Sequence, residues 1–575
     1  MYTSTIIRSG LLSTFVAASL LASMGLCWHE HWDCLQGKWI ACTIVLCGAF
    51  IALLKGRVQK DKFLYLLFAT LIGCQISDIL ANSADIANLL WGLALLSFVF
   101  LCKGITSKSW IGIVAICNLL VLTISILQYA IVSMPFSLQI LDNPAGNASA
   151  LVMGICCILP HDFPIRNLSN RWFLVLIVML LSCVVLLSGA LLYNCSRTGF
   201  IALFLSFSIY LLSFFKNKLS RKHWILVAIA SSIVLFLLIS QLYLRNPYSV
   251  EGRFLTYHVS AQMITIHPWL GWGSNAINAH YMASQANYLQ TLSPNHIYHT
   301  LAGDVVRPFN EILNGLMQYG IVNILLFLIV FLNIWKRITS TQRMELLPIL
   351  TAWIALGMSS YPSYYPYACL LLAGSFGNVL HAEEQTSHTR VKEISSTKCK
   401  RYMIFTILLL STYAAAVQWY KEYTKETWLD NDAAEINSAS DANTATLPSI
   451  ISDDIDVLYA LSVDLNLEGQ PQRSQAVLAK LRGRLQNYDT ELIAGDNALS
   501  LQQWHDAEKH FQLAHAMIPV RFMPLFGQMQ VYSLSGDSVK ARNVALKIIR
   551  KKVKVDSEDI HDIKAKALKI LKARE

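Results

Sequence analysis

A chain of 575 residues that is 54% hydrophobic and only 14% charged is too apolar for an ordinary soluble protein, because soluble domains carry about 25% charged residues. The mean hydropathy of +0.45 agrees, and the apolar excess sits in residues 1–420, leaving 421–575 with the composition of a polar helical domain. The formal net charge of +10 is distributed over the loops between apolar runs, so it does not call for nucleic acid; its sidedness matters more.

In chain order, apolar runs of spanning or near-spanning length occur at 10–27, 38–54, 64–79, 84–102, 109–132, 146–160, 172–193, 199–215, 224–243, 312–334, 345–359, 364–380 and 402–418. Several are shorter than the roughly 20 residues of a typical span, which sets the expectation at about 12–13 spans. The first run follows Arg8 in the manner of a signal peptide but lacks a small-x-small cleavage site, and it reads as a retained helix. The expected fold class is all-α. A polytopic helical membrane domain covers 1–420, a linker 421–455, and a soluble α-helical repeat domain 456–575.

Orientation follows from lysine and arginine. One set of alternate loops holds Lys55, Arg57, Lys60 and Lys62, then Lys103 and Lys108, Arg166 and Arg171, and Lys216, Lys218, Arg221 and Lys222. It continues with Lys336, Arg337 and Arg343 and ends with Arg390, Lys392, Lys398, Lys400 and Arg401. The opposite set holds only Lys38, Arg197, Arg245, Arg253 and Arg307. The first set is read as cytoplasmic. The turn at Arg197, the long 244–311 loop and the C-terminal domain then all lie outside.

Ser196-Arg197-Thr198-Gly199 lies between two long apolar runs. A planar, permanently charged guanidinium at a membrane surface suits bidentate contact with phosphate or diphosphate. A snorkelling interfacial arginine is the competing explanation. The 244–311 loop is long for a connector, and long loops are mostly functional or disordered. This one is aromatic-rich, with Tyr243, Tyr248, Phe254, Tyr257, Trp269, Trp272, Tyr281, Tyr288 and Tyr298. Phe254, Val259 and Met263 suggest a helix leading into the His267-Pro268 turn. Aromatic faces backed by arginines suit sugar stacking and diphosphate binding. An interfacial aromatic belt would show the same residues.

Four pieces then occur in order. They are Ser-Arg-Thr-Gly at 196–199, Gly252-Arg253 early in the loop, His-Pro-x-x-Gly-x-Gly at 267–273, and Asn310-x-x-Leu313 followed after six intervening residues by Gly320. In this combination the chain resembles the superfamily of O-antigen ligases, O-antigen polymerases and bacterial O-oligosaccharyltransferases, over roughly residues 60–380. The resemblance implies an inner-membrane enzyme that takes a glycan from undecaprenyl diphosphate and attaches it, without metal or other cofactor, to an acceptor in the periplasm. Lipid A-core, a growing glycan and a protein are the three acceptor classes. Arg197 and Arg253 would clamp the diphosphate, with Arg307 a third cation. His267, Gly271, Gly273 and Asn310 would form the loop motif. The family commonly opens the helix after the loop with His-Asn, whereas this chain has Phe309-Asn310. A phenyl ring cannot accept a proton, so the base falls to Glu311, His296 or His299, with Asp304 a further candidate. Glu311 opens a helix, where the dipole favours the carboxylate, while burial would push its pKa upward.

His280, His296, His299 and Asp304 are too loosely spaced to read as a metal site. Asp430-Asn431-Asp432 reads as a solvated acidic turn in the linker. Most of the thirteen cysteines fall inside apolar runs, where they act as small apolar residues; Cys27 and Cys34 flank an external loop and could pair. In the C-terminal region Gly495, Ala507, Phe511, Ala514 and Pro519 match the tetratricopeptide template, and Tyr532, Ala541 and Ala545 recur one period on. A degenerate pair precedes them at 456–485, and 551–575 reads as a capping helix. Such an array offers a docking surface for a protein partner, or else simply stabilises the chain. A non-catalytic membrane scaffold or glycan-lipid binding protein is the alternative function, and a transporter a distant third.

Overall fold

The structure is a computed structural model that describes residues 2–24, 34–55, 62–81, 86–130, 144–159, 197–215, isolated positions between 229 and 244, 247–386, 398–435 and 447–572. The described elements are helical and include no strand. The run expected at 172–193, nearly all of that at 224–243, the basic clusters around residues 166 and 221 and the Cys27 half of the expected pair lie outside the described residues. Asp430-Asn431-Asp432, expected as an acidic turn, instead lies within helix Lys398–Glu435, because the rod runs on past the apolar run without a break.

Apolar side chains on helices Tyr2–Ser23, Cys34–Lys55, Ile86–Lys103, Ser107–Ala130, Pro144–Ile158, Ser340–Gly357 and Pro366–Thr386 share one core. Two helices among the described residues are long and apolar enough to cross a membrane, Ile86–Lys103 and Glu311–Arg337; shorter apolar stretches include Gly10–Ser23, Gly37–Leu53, Ser107–Thr123 and Pro366–Leu380. The expected 12–13 spans are therefore met by length in only two described cases. The short runs are the ones where the expectation was already thinnest.

Helix Glu311–Arg337 is not one rod. Gly320 sits at φ 69°, ψ 179° and divides it into a first arm, 311–319, and an apolar arm, 321–337. The apolar arm exposes Ile321, Val322, Leu325, Phe327, Leu328 and Ile329 on its outer side, as a lipid-facing segment does. We read the apolar arm as the spanning segment and the first arm as part of the loop region. The turn that follows is closed by a reciprocal cap between Thr339 and Gln342.

The 247–311 region is a folded body. Pro247 at the first position starts helix Pro247–Ile266, and Pro268 cannot continue it. Leu255, Val259 and Met263 on its inner face pack with Tyr281, Met282, Ala286, Leu289 and Met317. The same core includes Tyr488, Ala514, Met517 and Ile518 from the C-terminal region. Gln285 Nε2 donates to the Met517 carbonyl (2.9 Å), Asn275 Nδ2 to Arg484 O (2.6 Å), and the Gln486 amide to Asn278 O (2.8 Å). The loop and the C-terminal helices are thus one packed unit.

Helix Lys398–Glu435 is continuous over 38 residues, about 57 Å at 1.5 Å per residue. The apolar run at 402–418 and the first half of the expected linker therefore form one rod. Lys421 pairs with Asp454 (3.0 Å), and Lys425 with Glu422 (2.7 Å) and Asp456 (3.2 Å), which ties the rod to the first C-terminal helix. From there helices pack pairwise: Ile455–Leu467 on Pro471–Leu481, Tyr488–Ser500 on Trp504–Met517, and Met523–Leu534 on Ser538–Arg550, with Glu558–Lys572 last. Phe511 fills the space between neighbours. A Cβ at Gly495 or at Gly527 would run into its ring, and Ala507, Ala514, Ala541 and Ala545 are buried where helices meet.

Candidate functional site

The His-Pro-x-x-Gly-x-Gly segment is laced onto the break at Gly320. The amides of Trp272 and Gly273 donate to the carbonyls of Met317 and Gln318, both at 2.9 Å. In return the amides freed by the break, Ile321 and Val322, donate to Pro268 O (2.9 Å) and Trp269 O (3.2 Å). Gly271 and Gly273 have φ of 73° and 80°, the left-handed region that favours glycine. A Cβ on Gly271 would strike the Gln318 carbonyl, and one on Gly320 the Trp269 carbonyl. His267 packs edge-on against Trp272 at 4.1 Å, and Trp272 Nε1 donates to Met263 O at 2.9 Å. These residues position the helix break. Their contacts are structural.

The break aims the first arm, and with it Phe309–Glu311, at the helix end 358–365. Asn310 caps the arm, its Oδ1 accepting from the amides of Ile312 (3.0 Å) and Leu313 (3.1 Å). Phe309 has φ 51°, an uncommon value for a bulky residue. The Tyr257 hydroxyl reaches both Phe309 O (3.2 Å) and Met358 O (2.9 Å), so one side chain of the loop helix holds the strained residue against the 358 turn. Burial raises the Tyr257 pKa, against the pull of the Arg253 charge, so its hydroxyl stays a donor.

Two of the three expected arginines meet there. The Arg253 guanidinium lies 5.4 Å from the Phe309 ring centroid, and that of Arg307 lies 3.5 Å from the Tyr364 ring and 5.5 Å from Tyr361. Phe309 and Tyr361 are 5.7 Å apart. A guanidinium resting on an aromatic face keeps its in-plane N–H edge available. Among the described residues no carboxylate lies within ion-pair distance of either arginine. Arg197 is the first residue of helix Arg197–Phe215; its side chain lies outside the described residues. Its neighbour Thr198 accepts a hydrogen bond from Ser359 Oγ at 3.1 Å, so the start of helix Arg197–Phe215 abuts the same 358–365 segment.

Glu311 faces that segment as well. Its Oε1 accepts from the Ser363 amide (3.0 Å) and hydroxyl (2.6 Å). Burial raises its pKa, opposed by the Ser363 bonds and the Arg307 charge.

His296 and His299 are engaged elsewhere. The His296 ring packs on Tyr298 at 4.5 Å, and its Nδ1 accepts from the Tyr298 amide. His299 is bonded to Ser293 O at 3.2 Å and faces His515 of the C-terminal region. Asp304 faces Asp489 and Arg521. His280 packs on Trp272 at 4.6 Å, and burial together with the nearby His267 lowers its pKa. Among the described residues no group of three or more His, Cys, Asp or Glu is placed to hold a metal ion.

The sequence reading missed Tyr361, Ser363 and Tyr364. The signal was present: Tyr361-Pro-Ser-Tyr-Tyr-Pro-Tyr367 interrupts two apolar runs with four tyrosines and two prolines. Comparison with curated proteins finds no match. Residues 182–328, which carry Arg197, Arg253, the 267–273 segment, Arg307, Asn310 and Glu311, match the model of the family described as O-Antigen ligase, and over that stretch the chain is similar to this family.

Proposed function

We propose that this chain is a membrane glycosyltransferase that moves a glycan from undecaprenyl diphosphate to an acceptor on the periplasmic face of the inner membrane. The observation that carries the reading is the pair of aromatic-backed, carboxylate-free guanidiniums of Arg253 and Arg307 beside Glu311 and the Thr198–Ser359 contact. The acceptor hydroxyl oxygen forms the new bond at the anomeric carbon as the bond to the diphosphate oxygen breaks. The departing diphosphate needs charge stabilisation and no proton, which preorganised arginines supply. The hydroxyl proton passes to Glu311, whose raised pKa suits a general base better than an exposed carboxylate would.

Phe309 favours a second reading, a scaffold or glycan-lipid binding protein without turnover. Gene deletion separates the two classes and names the acceptor. An uncapped lipid A-core, a single-repeat glycan or an unglycosylated protein each points to one acceptor, whereas intact surface glycans with mislocalised assembly proteins point to the scaffold. The C-terminal helix pairs, read as tetratricopeptide-like, are proposed to dock a protein partner. Their shared core with the 247–311 body supports a periplasmic placement together with that loop. A periplasm-only reporter fused after Glu575 tests it; activity of a cytoplasm-only reporter there would place both bodies in the cytosol.

A further inference from the structure

The last two helices are strongly basic. Residues 538–575 hold twelve Lys and Arg against five Asp and Glu. Several of these cations converge where the C-terminal helices meet the 296–301 turn of the loop body. Lys551 Nζ donates to the carbonyls of Pro519 (2.5 Å) and Arg521 (2.8 Å), and Lys554 Nζ to Thr300 O (2.9 Å). Lys551 and Lys564 both lie over the Phe522 ring, at 5.1 and 5.7 Å. His515 is faced by Lys551, Lys547 and His299, and its Nδ1 is buried without a hydrogen-bond partner.

The charge there is uncompensated. Among the described residues no carboxylate lies within ion-pair distance of Lys547, Lys551 or Lys554, and Asp556 pairs with His561 at 3.0 Å. The half-buried Lys551 ammonium is held by two carbonyls and the face of Phe522, with no carboxylate, and burial pushes its pKa down to about 8. Burial and the two lysines push His515 down to about 4. With His515 neutral, the repulsion is among the lysine ammoniums themselves, and an anion placed between them relieves it. A phosphate brings a charge of about −1.5 to −2 and three acceptor oxygens.

We propose that the Lys547–Lys551–Lys554 cluster, with His515, is a phosphate-binding site at the junction of the loop body and the C-terminal helices. Its ligand is a phosphoryl group, carried either by a phosphorylated glycan or by an anionic lipid headgroup. The site is separate from the Arg253–Arg307 pair and does not depend on the transfer reading.

The test uses the full chain in phosphatidylcholine nanodiscs at low salt. Acylation of Lys547, Lys551 and Lys554 is followed by mass spectrometry with and without inorganic pyrophosphate, and again in discs containing phosphatidylglycerol. Lys551 is the sensitive reporter, because a depressed pKa leaves more free amine. Protection by pyrophosphate assigns a soluble phosphorylated ligand; protection in phosphatidylglycerol discs alone assigns the headgroup. In Lys547→Glu/Lys554→Glu, both exposed positions, protection of Lys551 should weaken by about tenfold or more, about 1.4 kcal/mol. It should persist in Arg253→Ala. No protection by either probe, or protection unchanged in the double variant, overturns the proposal.

Discussion

Replacing Gly320 by alanine tests whether the loop motif exists to hold the helix break. At φ 69°, ψ 179° an alanine enters a region that is essentially glycine-only, at a cost of about 1–3 kcal/mol. Its Cβ also meets the Trp269 carbonyl. That contact is backbone, so relief requires the 268–273 segment to move away. Two of the lacing bonds lie beside it, from Ile321 N to Pro268 O and from Val322 N to Trp269 O. Losing both adds about 2 kcal/mol at about 1 kcal/mol net each. The local opening free energy should fall by about 3–5 kcal/mol, or roughly two to three and a half decades of amide protection. Hydrogen exchange with mass spectrometry on 267–273 and 317–322 reads it directly. Gly252→Ala is the control. A Cβ there meets nothing within 4 Å, and a glycine-to-alanine change inside a helix stabilises by up to about 1 kcal/mol. Native-like protection in Gly320→Ala would refute the lacing argument.

Glu311→Gln keeps an acceptor for Ser363 and leaves the Asn310 cap intact but cannot take a proton; glycan transfer should drop by about 10²-fold or more, and normal transfer would leave Glu311 a structural acid. Phe309→His should fold and retain transfer, because histidine is enriched at positive φ and Phe309 sits at 51°; loss of the protein from the membrane would contradict this. Burial raises the Asp496 carboxyl from 3.8 to about 6, so its contribution to stability is complete below about pH 3.8 and is lost as pH rises through 6. Asp496→Asn should therefore slow amide exchange in helix Tyr488–Ser500 at pH 7, by about 1–2 kcal/mol after allowing for partial exposure, and the gain should vanish by pH 4. A gain independent of pH would mean that charge burial is not the cause.

The sequence announced the ingredients of the site better than its geometry. Arg253 and Arg307 were legible because a cation in an apolar, aromatic context is chemically conspicuous. Their partners in the 361–365 turn were not, because those tyrosines lie at the edge of an apolar run some fifty residues beyond the motif. His296 and His299 were attractive as bases by residue type alone; only the fold shows them turned to Tyr298 and His515. The His267-Pro268 pair pointed to a turn, but the stretch of backbone that Gly271 and Gly273 approach, 317–322, is a long-range fact that no local pattern encodes. The helical character of the C-terminal region was readable, because small residues are needed where helices touch. The core that those helices share with the loop was not, since Tyr488, Ala514 and Met517 carry no mark of which surface they meet.

The central claim is that Arg253 and its neighbours stabilise a departing diphosphate. The most direct measurement is transfer from an undecaprenyl diphosphate-linked glycan by the purified, membrane-reconstituted chain, native against Arg253→Ala. The account predicts that the variant inserts and folds, with unchanged amide protection in 267–273, while transfer falls by at least about 10²-fold, the scale of removing one preorganised donor. Arg253→Lys should restore little of it, because an ammonium lacks the bidentate edge. Transfer by Arg253→Ala within about threefold of native would contradict the account.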